Sequence, residues 1–206
     1  MIHPDTRLAH RSDEIGLGVF ATRPIPKGTV LWALDDLDQR LSQVRVKRLG
    51  PRYHALLDRY AFVNADSERV LCSDIARFVN HSCEANAIST GWHFDIAVRD
   101  VAEGEEICND YGALNLDESF TCHCGAAGCR GTIHPEDFDR YWEGWDERVR
   151  AAFPFVTRVP QPLWDLVSPK RQVVACARDP RRAPSIRRHR TMTPLPLAGP
   201  QVAVRT

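Results

Sequence analysis

Arg77-Phe-Val-Asn-His-Ser-Cys-Glu-Ala-Asn86 and Gly104-Glu-Glu-Ile-Cys-Asn-Asp-Tyr-Gly112 are the two stretches on which the fold turns. In the first, apolar Ile75, Phe78 and Val79 run straight into a dense set of small and polar side chains. Such a set either fixes a turn through local hydrogen bonds or lines a ligand site. On its own His81 reads as a turn residue with a local partner. In the second, Tyr111 follows acids and precedes Gly112, which by itself reads as a structural tyrosine.

Outward from these, Gly16-Leu-Gly-Val-Phe-Ala continues to Val30-Leu-Trp32 through short apolar runs broken by Pro24, Pro26 and Gly28. That pattern is strand, turn, strand. Gly16-Leu17-Gly18 alone marks a tight turn, because it lacks the third glycine of a dinucleotide fingerprint and its flanks are not βαβ. Arg23-Pro-Ile-Pro-Lys-Gly-Thr-Val-Leu and Arg99-Asp-Val-Ala-Glu-Gly-Glu-Glu-Ile share an Arg, a branched residue, a Gly and a final aliphatic. Both read as strand connections around a glycine turn and not as a solenoid repeat. Residues 36–57 carry broken helical patterning, interrupted at Gly50-Pro51, and short β-type segments follow at 60–64, 70–73, 87–90 and 94–98. His134-Pro135 opens a helix with Phe138, Tyr141, Trp142, Trp145 and Val149 on one face.

Cys122-His-Cys124-Gly-Ala-Ala-Gly-Cys129 places three cysteines on a glycine-rich loop. Three thiolates so spaced can wrap one side of a tetrahedral Zn²⁺ at about 2.3 Å from each sulfur. A closed site needs a fourth ligand, for which Cys72, Cys83, Cys108, His123 and His134 are candidates.

The chain has 206 residues with 27 basic and 27 acidic side chains, so its formal charge is zero. The average hides a split, for residues 1–167 carry −8 and residues 168–206 carry +8. Hydrophobic content of 43% excludes a chain disordered throughout. No apolar run is long enough to span a membrane, and the first residues do not read as a secretory signal. Seven cysteines in that setting are expected to be reduced, which favours metal ligation over disulfides. Of the 27 basic residues only Lys27, Lys47 and Lys170 are lysine, a skew that hints at a GC-rich bacterial genome. From Ser168 prolines and arginines dominate, and residues 168–206 read as a disordered basic tail. Without interleaved aromatics or a folded scaffold, that tail reads as a solvated segment and not as a nucleic-acid binder.

Taken together and in this order, the motifs resemble the SET-domain family of protein lysine methyltransferases. The likeness covers about residues 14–131, and segment 122–129 followed by Arg130-Gly131 is similar to the family's post-SET zinc segment. It implies a mixed, β-rich fold of several short-stranded sheets with a knot-like C-terminal crossing, a zinc-bound post-SET loop and a C-terminal helix. The expected divisions are a lead-in at 1–13, a SET domain at 14–116, a post-SET segment at 117–133, a helical extension at 134–167 and the tail at 168–206. The resemblance implies S-adenosylmethionine as co-substrate and a structural Zn²⁺. It lays Gly16, Leu17 and Gly18 along that co-substrate, has Asn80, His81 and Tyr111 meet it, and gives Phe120 the role of covering its adenine. It selects Cys83 as the fourth ligand beside Cys122, Cys124 and Cys129. Tyr111 would carry the catalysis, and Tyr60, in Tyr60-Ala-Phe62, would line the lysine channel. Two positions depart from the family: Ala85 stands where Pro is usual, and Asn109 stands where Phe or Tyr influences how many methyls are added.

The chemistry suits these residues. A free lysine with pKa about 10.4 costs about 4.6 kcal/mol to deprotonate at pH 7. Burial in an apolar channel beside a sulfonium lowers that cost. Tyrosine, with a pKa of about 10, is a poor base at neutral pH, so Tyr111 is expected to align the amine while water takes the proton. The expected partner is a protein with an accessible lysine, drawn by the acidic body if it is basic, such as a histone or histone-like protein. The same field could hold the basic tail and its single lysine, Lys170, for cis-inhibition or automethylation. The competing reading is a catalytically inactive SET-like interaction module with a structural zinc. A bacterial protein of this kind would be cytoplasmic, and a eukaryotic or translocated one would act in the nucleus or on chromatin. Oligomeric state is not legible.

Overall fold

The computed structural model describes residues 1–191. Twelve strands appear in it: β1 (Thr6–Ser12), β2 (Gly16–Ala21), β3 (Val30–Ala33), β4 (Gln39–Leu41), β5 (Ala61–Val63), β6 (Arg69–Leu71), β7 (Asn80–His81), β8 (Ala87–Ser89), β9 (Phe94–Ala97), β10 (Glu106–Asn109), β11 (Phe120–Thr121) and β12 (Thr132–Ile133). Four helices join them: α1 (Gln43–Lys47), α2 (Pro51–Tyr60), α3 (Asp137–Ala152) and α4 (Lys170–Arg178). The strands make four small sheets, ordered β1-β2-β10-β7, β3-β9-β8, β4-β6-β5 and β11-β12. The expected mixed, β-rich architecture is what the chain adopts.

The β3-β9-β8 sheet is the middle layer, and side-chain alternation explains why. Val30, Ile88 and Ile96 point to one face and pack with Phe138, Trp145, Val149 and Phe153. Their neighbours Leu31, Ala87 and Ala97 point to the other face and pack with Val19, Ile107 and Val101. A sheet buried on both faces needs near-continuous apolar strands, and all four residues of β9 are buried. The Arg-x-branched-Gly repeat proves to be a paired device. Ile25 and Val101 form an antiparallel bridge through two 2.9 Å N–H···O bonds, and Gly28 and Gly104 take the left-handed turns at φ 91° and 79°.

The helical patterning of 36–57 resolves into α1 and α2, with Pro51 at the first turn of α2 and Ser42 capping α1 by accepting from Arg45 N–H. A proline is tolerated there because its missing N–H would find no helical partner. The helix opened by His134-Pro135 is α3, which buries Phe138, Trp145 and Val149, while Tyr141 is exposed.

One expectation is overturned. Residues 168–191 are not a disordered tail, and the divisions at 134–167 and 168–206 do not separate the extension into folded and unfolded parts. Helix α4 buries Val173 and Cys176 one turn apart, and Ala183 and Ile186 join the same core as α3. His189 Nε2 bonds the carbonyls of Thr90 and Trp92 at 2.6 and 3.0 Å. Asn115 Nδ2 holds the His189 carbonyl at 2.7 Å, and Asp146 Oδ1 accepts from Ile186 N–H at 2.8 Å. Composition misled because a segment that adds to an existing core needs only four apolar side chains, far fewer than one that must build its own. Residues 192–206 of the expected tail lie outside the described residues.

Candidate active site and metal centre

Strand β10 lies between β2 and β7. It runs antiparallel to β2, with Ile107 opposite Val19, and parallel to β7, with Cys108 opposite Asn80 and Asn109 opposite His81. The 77–86 and 104–112 stretches are therefore neighbours in one sheet. Tyr111 follows β10 directly, in a 3-10 turn whose start is capped by Asp110 Oδ1 accepting from Gly112 N–H at 3.0 Å. Its backbone N–H donates to His81 Nδ1 at 3.0 Å, and its hydroxyl donates to the Val79 carbonyl at 2.7 Å. Burial, reinforced by Cys108 and Glu106, pushes the Tyr111 hydroxyl well above its ordinary range, so it stays protonated. The rings of His81, Tyr111 and Phe120 meet pairwise at 5.6–6.1 Å between centroids. Tyr60, the last residue of α2, packs edge-on against Phe78 at 5.2 Å, one residue from the carbonyl that holds Tyr111.

Beside these groups opens a cleft of about 330 Å³, lined among others by Arg11, Phe20, Asn80, His81, Glu106 and Cys124. Asn80 Nδ2 donates to the Leu17 carbonyl at 2.9 Å and to Glu106 Oε1 at 2.7 Å. Glu106 Oε2 pairs with Arg11 Nε at 2.7 Å. Gly18 is required here, since a Cβ on it would stand 2.3 Å from Glu106 Oε1 and 3.0 Å from Asn80 Nδ2. Gly16 takes φ 89° at the start of β2, and Leu17 is exposed. Glu106 and Arg11 escaped sequence reading. Glu106 lies inside a quoted motif that draws attention to its tyrosine, and Arg11 sits at the irregularity between His10 and Ser12, where no pattern announces it.

The cysteines converge a few ångströms away. Ligand atoms of His81, Cys83, Cys122 and Cys124 all lie within 4.8 Å of one another. The Cys83–Cys122 sulfur separation is 3.8 Å, which is about the spacing of two ligands each 2.3 Å from a tetrahedral ion. Cys129 Sγ sits 3.9 Å from the Cys122 carbonyl, and Gly131 N–H donates to it at 3.4 Å. Burial works against a thiolate at Cys124, yet hydrogen bonds from the Cys83 and Ala126 backbones and from Cys122 and Cys129 bring it down to about 6. His81 is held at about 4 by burial and by Arg130, so it is neutral. Because its Nδ1 accepts from Tyr111 N–H, its proton sits on Nε2, 3.4 Å from Cys83 Sγ. A protonated ring nitrogen has no lone pair for a metal, so in this tautomer His81 is a hydrogen-bond donor to the cluster, while Cys129 lies outside the converging group. The three converging sulfurs of Cys83, Cys122 and Cys124 are soft donors of the kind that suit Zn²⁺.

Arg130 ties the cluster to the turn that follows β10. Its backbone and Nε donate to Cys83 Sγ at 3.3 and 3.5 Å, and its guanidinium pairs with Asp110 at 2.5 Å and Asp137 at 3.2 Å. The other ligand candidates are elsewhere. His123 pairs with Glu14 at 3.2 Å, His134 contacts Ser119 at 2.8 Å, and burial holds Cys72 up at about 12. Cys108 lines the cleft and is not in the cluster. Asn109 is buried with its Nδ2 on Asp95 Oδ2 at 2.7 Å. Lys170 is no free-tail lysine; it is the first residue of α4 and pairs with Asp165 at 3.3 Å, which takes away the flexible approach that automethylation needs.

Residues 16–112 match the family described as SET domain. Histone-lysine N-methyltransferase ATX2 of Arabidopsis thaliana is 32% identical over 136 residues, covering 58% of this chain and 12% of that protein. Histone-lysine N-methyltransferase TRX1 of Oryza sativa subsp. japonica is 30% identical over 159 residues, covering 70% of this chain and 15% of that protein. This chain thus spans less than a sixth of the length of either relative. Among solved structures, the methyltransferase domain of human histone-lysine N-methyltransferase SETMAR aligns with a TM-score of 0.46 at 21% identity, over 65% of this chain and 58% of that chain.

Proposed function

We propose, from the premise that residues 16–112 are a SET domain, that this protein is an S-adenosylmethionine-dependent protein-lysine N-methyltransferase with a structural zinc. Its substrate is a lysine of a basic protein such as a histone. The observation that carries this reading is the β7–β10 junction, where Asn80, His81 and a half-buried, protonated Tyr111 meet beside a polar cleft. The naming of ATX2 and TRX1 as histone-lysine N-methyltransferases supports the reaction and substrate class. So does the −8 charge of residues 1–167, which favours a basic partner. No helix of the described residues is long and apolar enough to cross a membrane.

S-adenosylmethionine, when bound, supplies a methyl that passes from sulfur to the neutral lysine nitrogen, leaving S-adenosylhomocysteine while the amine proton goes to water. Asn80 and Glu106 line the cleft that would hold it, and Gly18 leaves room for the Asn80–Glu106 pair. The Tyr111 proton is committed to Val79, so its free lone pairs accept a hydrogen bond from the amine and aim the nitrogen. Tyr60 and Phe78 form an apolar wall that helps keep the amine unprotonated. Cys83, Cys122, Cys124 and Cys129 would hold Zn²⁺, whose contribution is to cross-link the 122–129 loop to β7 and keep Phe120 against His81.

The direct test is incubation with methyl-labelled S-adenosylmethionine and a mixture of basic proteins, followed by mass spectrometry of methyl-lysine. Label on lysine that disappears in Tyr111→Phe is expected. S-adenosylmethionine binding without transfer to any protein would instead identify an inactive interaction module.

A further inference from the structure

A second cleft lies away from the one beside Tyr111. It measures about 410 Å³, lies on the C-terminal extension, and is lined by Trp92, Arg171, Gln172, Ala175, Cys176, Arg182, Pro184 and Arg188. It shares no lining residue with the cleft beside Tyr111. Arg171, Arg182 and Arg188 are all exposed, no carboxylate lines the cleft with them, and none forms an ion pair with another described residue. Residues 168–191 hold eight lysines and arginines against Asp179 alone. The scaffold beneath is firm. Val173, Cys176 and Ile186 are buried, Arg187 stacks on Trp142 at 5.1 Å, and Arg190 pairs with Asp139 at 2.8 Å.

We propose that this arginine-lined cleft is a second binding site, for the phosphate backbone of nucleic acid. Guanidinium forks match phosphate oxygens in pairs, and three of them share one concavity with no carboxylate in its lining, Asp179 outside it acting on Arg182 alone of the three. The exposed Arg178, Arg181 and Arg187 extend the charge along the same segment, which suits a polyanion better than one small phosphate. Trp92, the cleft's aromatic, is buried and cannot stack on a base. Binding therefore reads backbone and not sequence. This goes beyond the methyltransferase reading and does not depend on it.

The test is fluorescence anisotropy of a short labelled DNA duplex with the full chain across a salt series. Each phosphate neutralised contributes about −0.9 to the slope of log K against log salt. The triple variant Arg171→Gln/Arg182→Gln/Arg188→Gln should weaken binding at least about tenfold and flatten the slope by roughly 3, and each single variant by about 1. A control triple of exposed body arginines, Arg7→Gln/Arg23→Gln/Arg52→Gln, should keep both. Methyl transfer to a peptide should be unchanged in either triple. Thermal melts report folding, and if the cleft triple melts early the single variants carry the test. No duplex binding at low salt, equal losses in both triples, single variants without effect on the slope, or tight capture of a phosphopeptide in place of DNA would each overturn the proposal.

Discussion

Tyr111 shows how much one residue's surroundings decide. A tyrosine hydroxyl has one proton and two lone pairs, and here the proton is spent on Val79. The side chain can orient an amine and cannot deprotonate it. Tyr111→Phe should leave S-adenosylmethionine affinity near wild type by calorimetry while lowering kcat about 100-fold, the effect of losing alignment at a reacting centre. A variant that kept its turnover would remove Tyr111 from the reaction. Gly18→Ala tests the opposite wall, because its Cβ would displace Glu106 and disturb Asn80. It should weaken S-adenosylmethionine binding about tenfold and cost about 1–3 kcal/mol of stability, the usual penalty of overpacking. Asn80, His81 and Tyr111 were legible because their motifs occur in a fixed order. Glu106 and Arg11 were not, because their meaning comes from a pairing across three strands that no local pattern encodes.

At the scale of elements, the 122–129 loop is fastened twice. Its ends are joined by Phe120 opposite Ile133 and by Cys122 N–H on the Gly131 carbonyl at 2.8 Å. Its middle is fastened by the sulfur cluster. One zinc per chain is expected by elemental analysis, lost in Cys83→Ser and Cys129→Ser and kept in His123→Ala and His134→Ala. Because the ends hold without metal, chelation should open the loop to protease and lower activity without unfolding the chain, unlike a free-standing zinc finger. Unaltered zinc content in Cys129→Ser, with loss in a His81 variant, would reassign the fourth ligand. The three loop cysteines were readable from spacing alone. Cys83 was one candidate among five by chemistry, and only the fold brings it within 3.8 Å of Cys122.

At the scale of the whole molecule, the neutral charge is the sum of an acidic body and a basic C-terminal part, of which residues 168–191 are folded onto that body. Residues 168–191 read as unstructured because arginine and proline outnumber their apolar residues, yet the few apolar side chains land where the middle sheet's outer face needs them. Gly91 marks the contact: a Cβ there would stand 2.6 Å from Pro184 Cβ, so the β8–β9 turn is shaped to receive the extension. Burying Val173 and Ile186 is worth about 1.5–3 kcal/mol each, and Cys176 and Ala183 add to that. Removal of residues 168–206 should therefore cost about 5 kcal/mol or more, a large part of the 5–15 kcal/mol that holds a domain together. At this chain length that corresponds to a fall in Tm of about 10–20 °C. Ile186→Ala, fully buried and bonded through its backbone to Asp146, should by itself cost about 2–5 kcal/mol. Both are read by thermal melts followed by circular dichroism. If the shortened chain melted at the wild-type temperature, the extension would be a passenger on the surface. A fall of the expected size makes it the third layer of the fold, on which the middle sheet, and through it the β2–β10–β7 junction that carries Tyr111, depends.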